Sequence, residues 1–317
     1  MPRLASRPIT RLLGLGLTAA CLVYFSIEAR KVLSGTHLSW ADSRVLDGLP
    51  IAAGLYLAAY AVLAIAWHCL LRSLAVNPGL RSSAGIYLAA QIAKYIPGNV
   101  GQHIGRIYLS TARGLPGTKV VMAMLFEILL GLVVAALLSL PLAPMMLRYV
   151  RAASFSWTSL AVVAAGLAAI ACLAAYALHR KRLLVPLRNH LRDALREARG
   201  SGGAKFLAGA AALIVVGTIL AGLALVALAS PSVAVMTVPS IIAGVALFCA
   251  SWILGFLAPG APAGLGIREA ILLGGLTPAI GGTLALEVTI LFRGLSVAAD
   301  LVAWLVGAML LRRAAKG

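Results

Sequence analysis

Eight ionisable side chains fall inside stretches of sequence that are otherwise apolar: Lys94, Arg106, Arg268 and Arg293, with Glu127, Glu269, Glu287 and Asp300. A charge at the centre of a membrane helix costs at least ~2.5–3.5 kcal/mol on insertion scales, so such residues face a partner or a polar cavity and mark function. Arg293 and Asp300 are seven residues apart, two helical turns on one face, so both point at a shared interior stripe. They either pair with charges on other helices or line a pathway. Glu287 belongs to a different face and needs another partner. Glu127 is a lone carboxylate in an apolar run; it neutralises a neighbouring base, Lys94 or Arg106, or titrates as a proton site. His68 and His103 read as interfacial or hydrogen-bonded histidines before proton relays.

The basic residues gather near two anomalous segments, 84–110 and 258–282, which are apolar but interrupted by Pro and Gly. Pro removes a backbone donor, and unpaired backbone at membrane depth is tolerated only where protein or a water-filled cavity surrounds it. Each segment is therefore expected as a pair of half-helices. The first contains QIAKYIPGNVGQHIGR, residues 91–106. Gln91, Lys94 and Tyr95 share one helical face. Pro97 and Gly98 stop that half-helix, and Asn99 with Gln102 forms a capping pair that starts the next. A half-helix N-terminus carries roughly +0.5 charge and free backbone donors, so together with Lys94 and Arg106 it makes an anion site. The second contains APGAPAGLGIRE, residues 258–269, where Arg268 follows Pro259-Gly260 at the same distance as Arg106 follows Pro97-Gly98. Paired interrupted segments in the two halves of a transporter point to a substrate site near the midplane.

The elements that must hold these groups follow from composition. Of 317 residues, 62% are apolar and 11% charged, and 27 Lys+Arg against 9 Asp+Glu give +18. A soluble domain is about 45–50% apolar and about 25% charged, so the solvent of this chain is largely lipid. Apolar runs cover 12–29, 50–71, 120–143, 156–178, 206–229, 237–257 and 284–311, each near or above the ~20 residues that cross ~30 Å of hydrocarbon. The expected fold class is all-α, a polytopic bundle of seven to eight transmembrane helices in a single domain. The first run reads as a retained helix, since no A-x-A site ends it. Cys21, Cys69, Cys172 and Cys249 all lie in apolar runs and behave as small core residues, with no metal or disulfide spacing.

Because the interior charges balance, the +18 belongs to loops and tails, where Lys and Arg mark the cytoplasmic side. A nucleic-acid footprint is excluded, because no soluble basic face exists to present one. Arg3, Arg7 and Arg11 place the N-terminus inside. Arg72, Arg81, Arg113 and Lys119 place both ends of 84–110 inside, which makes that segment re-entrant. The loop 179–205 is basic and cytoplasmic. Arg312, Arg313 and Lys316 draw the C-terminus inside as well, and parity then requires 258–282 to cross, as the eighth span. Between Pro186 and Gly200, Arg188, Arg192, Arg196 and Arg199 form one stripe and Leu184, Leu187, Leu191 and Leu195 the next. This is an amphipathic helix, either lying on an anionic bilayer surface or serving as a solvated connector.

The string KYIPGNVGQHIGR, the later Pro-Gly-x-Pro-x-Gly-x-Gly-x-Arg-Glu string and the charged last helix together resemble the transmembrane region of lysylphosphatidylglycerol synthases, the flippase-like or UPF0104 family. The resemblance spans nearly the whole chain. It implies a polytopic module that moves anionic or modified lipids between leaflets of the bacterial inner membrane. It also implies a central lipid-binding region made of Lys94, Tyr95, Pro97, Gly98, Asn99 and Arg106, with Gly264, Gly266, Arg268 and Glu269. Synthase members add a soluble aminoacyl-transferase domain, and others are associated with glycosyltransferases; neither domain is expected here, so lysyl transfer is not.

The first functional expectation is thus a lipid translocase without cofactor or metal. The headgroup phosphate of an anionic phospholipid or isoprenoid-type lipid would pair with Lys94, Arg106 and Arg268. No G-x-x-x-x-G-K-[ST] loop is present, so movement would be downhill or coupled to protons through Glu127, Glu287 or Asp300. The alternatives are a headgroup transferase, for which only Asp42, Asp47 and His37 offer a weak constellation, and a non-transporting partner that recruits a lipid-modifying transferase through its basic loop.

Overall fold

The computed structural model describes residues 43–95, 101–144, 184–200, 202–230, 237–258 and 262–314. Within them the chain is helical throughout and contains no strand, as the all-α reading requires. Nine α-helices are described: α1 (Ser43–Ser73), α2 (Leu80–Ala89), α3 (Gly101–Thr111), α4 (Gly117–Ser139), α5 (Leu184–Arg199), α6 (Gly203–Ala229), α7 (Val238–Leu257), α8 (Ile267–Ile280) and α9 (Gly282–Ala314). Two short 3₁₀ turns, Gln91–Tyr95 and Pro262–Gly264, follow α2 and precede α8.

Among the described residues, five segments are long and apolar enough to cross a membrane: Asp47–Ser73, Gly117–Leu142, Gly203–Ala229, Val238–Leu257 and Gly282–Arg313. They coincide with five of the expected runs; the runs 12–29 and 156–178 lie outside the described residues, as do Cys21 and Cys172. The core is a single large cluster centred on Trp67, Leu70, Leu71, Leu225, Leu228 and Leu286. Helix α1 runs antiparallel along α6: Gly48 meets Ala227 at one end, Gly217 meets Leu63 midway, and Gly203 meets Ser73 at the other end. Small residues at these crossings let the backbones approach where lipid supplies no hydrophobic drive for association.

The first broken segment folds as two short pieces. Helices α2 and α3 have 10 and 11 residues, so each rises about 15–17 Å, half of the ~30 Å hydrocarbon thickness. The chain reverses between them, because Gly105 returns beside Ala90 and Ala93, and Arg106 beside Tyr87. Pro97, Gly98 and Asn99, expected to make the break and the cap, lie outside the described residues. The second broken segment opens on Pro262–Gly264 and continues into α8, which Gly281 turns back against α9. At 14 residues α8 rises only about 21 Å, so as a helix it is shorter than the crossing that charge parity calls for.

The amphipathic helix expected in the basic loop is α5. Ala194 and Ala198 are buried, Leu191 and Leu195 pack on the core, and Arg188, Arg192, Arg196 and Arg199 are exposed. Lys119, at the start of α4, joins Glu197 to the carbonyl of Leu74 with bonds of 2.6 and 2.9 Å. The described part of the apolar stripe, Leu191 and Leu195, therefore faces the bundle, and the arginine stripe is exposed.

Candidate functional site

Asp300 lies near the middle of the α9 span and is fully buried. A carboxylate in that position needs donors, and three reach it. Lys94 Nζ donates to Oδ1 at 2.7 Å, Tyr60 donates to the same oxygen, and Tyr95 donates to Oδ2 at 2.5 Å. In the 3₁₀ turn that ends the first half-segment, residues three apart eclipse, which places Gln91 and Lys94 on one side. The same turn brings the Lys94 ammonium 5.9 Å from the Tyr60 ring and 5.7 Å from the Tyr95 ring. Tyr60 belongs to α1, Lys94 and Tyr95 to the broken segment, and Asp300 to α9, so this one carboxylate fastens the tip of the broken segment to two membrane helices.

One layer away, Arg106 of α3 donates to Glu127 of α4. Its guanidinium stacks between aromatic faces, 4.3 Å from the Tyr87 ring centre and 5.1 Å from that of Trp67. A planar cation can pair edge-on with a carboxylate and face-on with rings at once, which a lysine cannot do. Of the two roles open to Glu127, the geometry gives it the first, as the partner of Arg106.

The second broken segment contributes Arg268 and Glu269, and they diverge. Glu269 accepts the backbone N–H of Gly266 at 2.6 Å, capping the start of α8, and lies 3.3 Å from Arg293. Arg293 also donates to the carbonyl of Ala263. Arg293 and Asp300 thus pair with separate elements, as ion pairing across helices required. The link before α8 is tightly coiled, with Ala263, Gly264 and Gly266 at φ 51°, 68° and 84°. Arg268 threads this coil: a Cβ on Gly255 would lie 2.5 Å from its Cγ, and one on Gly264 3.0 Å from its Cδ. Two glycines form a slot for its stem. Its guanidinium then lies 5.8 Å from the Phe248 ring centre, and among the described residues it has no ion pair.

These groups surround a cavity of about 200 Å³ to which both broken segments contribute. Gln91, Lys94, Arg106, Gly264 and Arg268 line it, as the sequence led one to expect, joined by Glu127 and Arg293. Tyr95 backs the lining through Asp300, Gly266 and Glu269 shape α8, and Glu287 is buried on α9 away from the cavity wall. Of the three cations expected to meet a phosphate, Lys94 and Arg106 each have a carboxylate partner, and Arg268 has none among the described residues. His68 is hydrogen-bonded to Ser83 at 2.8 Å, whereas His103 lines the cavity. Sequence reasoning missed Tyr56, Tyr60, Tyr87, Phe248 and Trp252. Only Tyr56 and Tyr60, four residues apart in an apolar helix, left a signal. The lining also includes the apolar Ile128, Ala135, Ile214 and Ala221, so the space is amphipathic overall.

A family model described as the lysylphosphatidylglycerol synthase TM region matches residues 11–303. Neither the curated proteins nor the solved structures searched gave a match.

Proposed function

The chain belongs to the lysylphosphatidylglycerol synthase TM region family, and from that premise we propose that it is a lipid translocase of the bacterial inner membrane, with both termini cytoplasmic. The observation that carries this reading is the convergence of both broken segments on one amphipathic cavity, at the depth of Tyr60 and Asp300, where Arg268 has no ion-pair partner among the described residues. A headgroup crossing hydrocarbon must exchange its water for other polar contacts, and an unpaired polar group there is costly. The polar lining of the cavity offers those contacts, with Arg268 holding the anionic group through charge-assisted hydrogen bonds. The apolar lining accommodates the first carbons of the acyl chains, whose remainder stays in lipid.

In this reading Lys94, Arg106 and Arg293 with their carboxylates are the scaffold, and Arg268 is the ligand-binding group. The protein moves lipid without a chemical step. The test is exchange of fluorescent anionic lipid between leaflets of proteoliposomes. The full-length protein is expected to accelerate it over protein-free vesicles, and Arg268→Gln to remove most of the acceleration while Arg268→Lys keeps part of it. Equal rates for the native protein and Arg268→Gln would overturn the assignment.

A further inference from the structure

The charge balance of the cavity specifies more than the sign of its ligand. Lys94 is neutralised by Asp300 at 2.7 Å, Arg106 by Glu127, and Arg293 by Glu269 at 3.3 Å. Arg268 keeps its charge among the described residues, and the links 96–100 and 259–261 contain no ionisable side chain. Its stem lies in the slot between Gly255 and Gly264, where a side chain on either glycine would press on it. Among the described residues, one further negative charge is therefore accommodated. A second would be buried without a counterion, and a headgroup ammonium would bring like charge toward Arg268.

Two buried donors sharpen the chemistry. Arg106 Nε and His103 Nδ1 have no hydrogen-bond partner among the described residues, although Arg106 is only 3% exposed and both residues line the cavity. Gln102 approaches His103 Nε2 through its amide nitrogen at 3.4 Å. If that amide donates, neutral His103 carries its proton on Nδ1, which makes the unpartnered atom a donor. Among the described residues the wall thus holds one cation without a counterion and, in that tautomer, two unpartnered buried donors, all suited to acceptor oxygens. A phosphodiester carries one charge, two non-bridging oxygens and two ester oxygens.

Resting on the translocase reading, we propose that the cavity selects lipids whose headgroup bears one net negative charge on a phosphodiester, over zwitterionic lipids and over phosphomonoesters. Phosphatidylmethanol is the minimal such lipid, because its headgroup adds only a methyl group to the diester. The purified full-length protein would be titrated with phosphatidylmethanol, phosphatidylcholine, phosphatidic acid and chainless dimethyl phosphate, with binding followed by native mass spectrometry. Phosphatidylmethanol is expected to bind about tenfold more tightly than phosphatidylcholine or phosphatidic acid. Arg268→Gln should bring these ratios close to one, and Arg268→Lys should restore much of the preference, which separates charge from folding.

Equal affinities in the native protein, tighter binding of phosphatidic acid, or an unchanged ratio in Arg268→Gln would overturn the proposal. Displacement of phosphatidylmethanol by equimolar dimethyl phosphate would assign the site to a free diester and overturn the lipid ligand. The two levels fail separately. Lipid exchange without diester preference removes this selectivity and leaves the translocase; diester preference without exchange removes the translocase and leaves the site.

Discussion

Lys94 Nζ and Asp300 Oδ1 lie 2.7 Å apart although 206 positions separate them in the chain. The pair fixes the tip of the first broken segment to the centre of the last helix and gives the Lys94 ammonium a counterion within the protein. Among the described residues, three such pairs surround the cavity and Arg268 faces it without one.

Asp300→Asn would leave the Lys94 ammonium, which is only 16% exposed, without its counterion. Breaking one side of a buried pair typically costs about 3–5 kcal/mol, whereas removing both charges costs much less. Unfolding in detergent micelles should therefore show a larger loss for Asp300→Asn than for the double variant Lys94→Met/Asp300→Asn. Additive losses would contradict the coupling.

Arg106→Lys preserves the charge opposite Glu127 but loses the planar stack between Tyr87 and Trp67. A desolvated cation–π contact contributes about 2 kcal/mol, so a loss of that order is expected in the same unfolding assay. A lysine variant as stable as the native protein would show that charge alone matters here.

Helices α2 and α9 cross at Gly85 and Gly307, and the two glycines should differ in tolerance. A Cβ on Gly85 meets the flexible end of Leu311 at 2.7 Å, while one on Gly307 meets the backbone of Ala89. Overpacking costs typically about 1–3 kcal/mol; Gly307→Ala is expected near the top of that range and Gly85→Ala near the bottom. Thermal midpoints of the two purified variants in the reverse order would argue against this crossing.

Ala263 adopts φ 51° and ψ 26°, a conformation that costs an L side chain roughly 1–2 kcal/mol. Ala263→Gly should therefore raise the unfolding midpoint. Gly264→Ala should lower it, because φ is 68° there and a Cβ would press on Arg268. The second change should also weaken lipid binding by displacing the guanidinium. A destabilised Ala263→Gly would contradict the strain assigned to the link.

Much of this architecture was legible because lipid imposes simple rules on sequence. Runs of about twenty apolar residues marked five of the described spans, and Pro and Gly marked both breaks. The two-turn spacing of Arg293 and Asp300 pointed both at an interior stripe, while the isolation of Glu127 left open whether it neutralises a base or titrates as a proton site. Partner identity was hidden, since pairing across 206 positions depends on how helices pack and leaves no periodicity in either strand of sequence. The same reason explains Lys94 and Arg106, whose charges alone suggested anion ligands. Glu269 was grouped with Arg268 by adjacency, yet the step of about 100° between neighbours on a helix sends it to cap α8 while Arg268 enters the slot between two glycines. Tyr60 escaped notice because an aromatic residue in an apolar helix looks like core until a buried carboxylate is placed opposite its hydroxyl.

If Arg268 holds a lipid headgroup in the cavity between the broken segments, the lipids that copurify with the protein, identified by mass spectrometry, depend on it. The native protein and an Arg312→Gln control, which removes one exposed positive charge at the end of α9, are expected to retain the same anionic phosphodiester lipid, and Arg268→Gln to lose it. An identical lipid complement in all three would contradict the account.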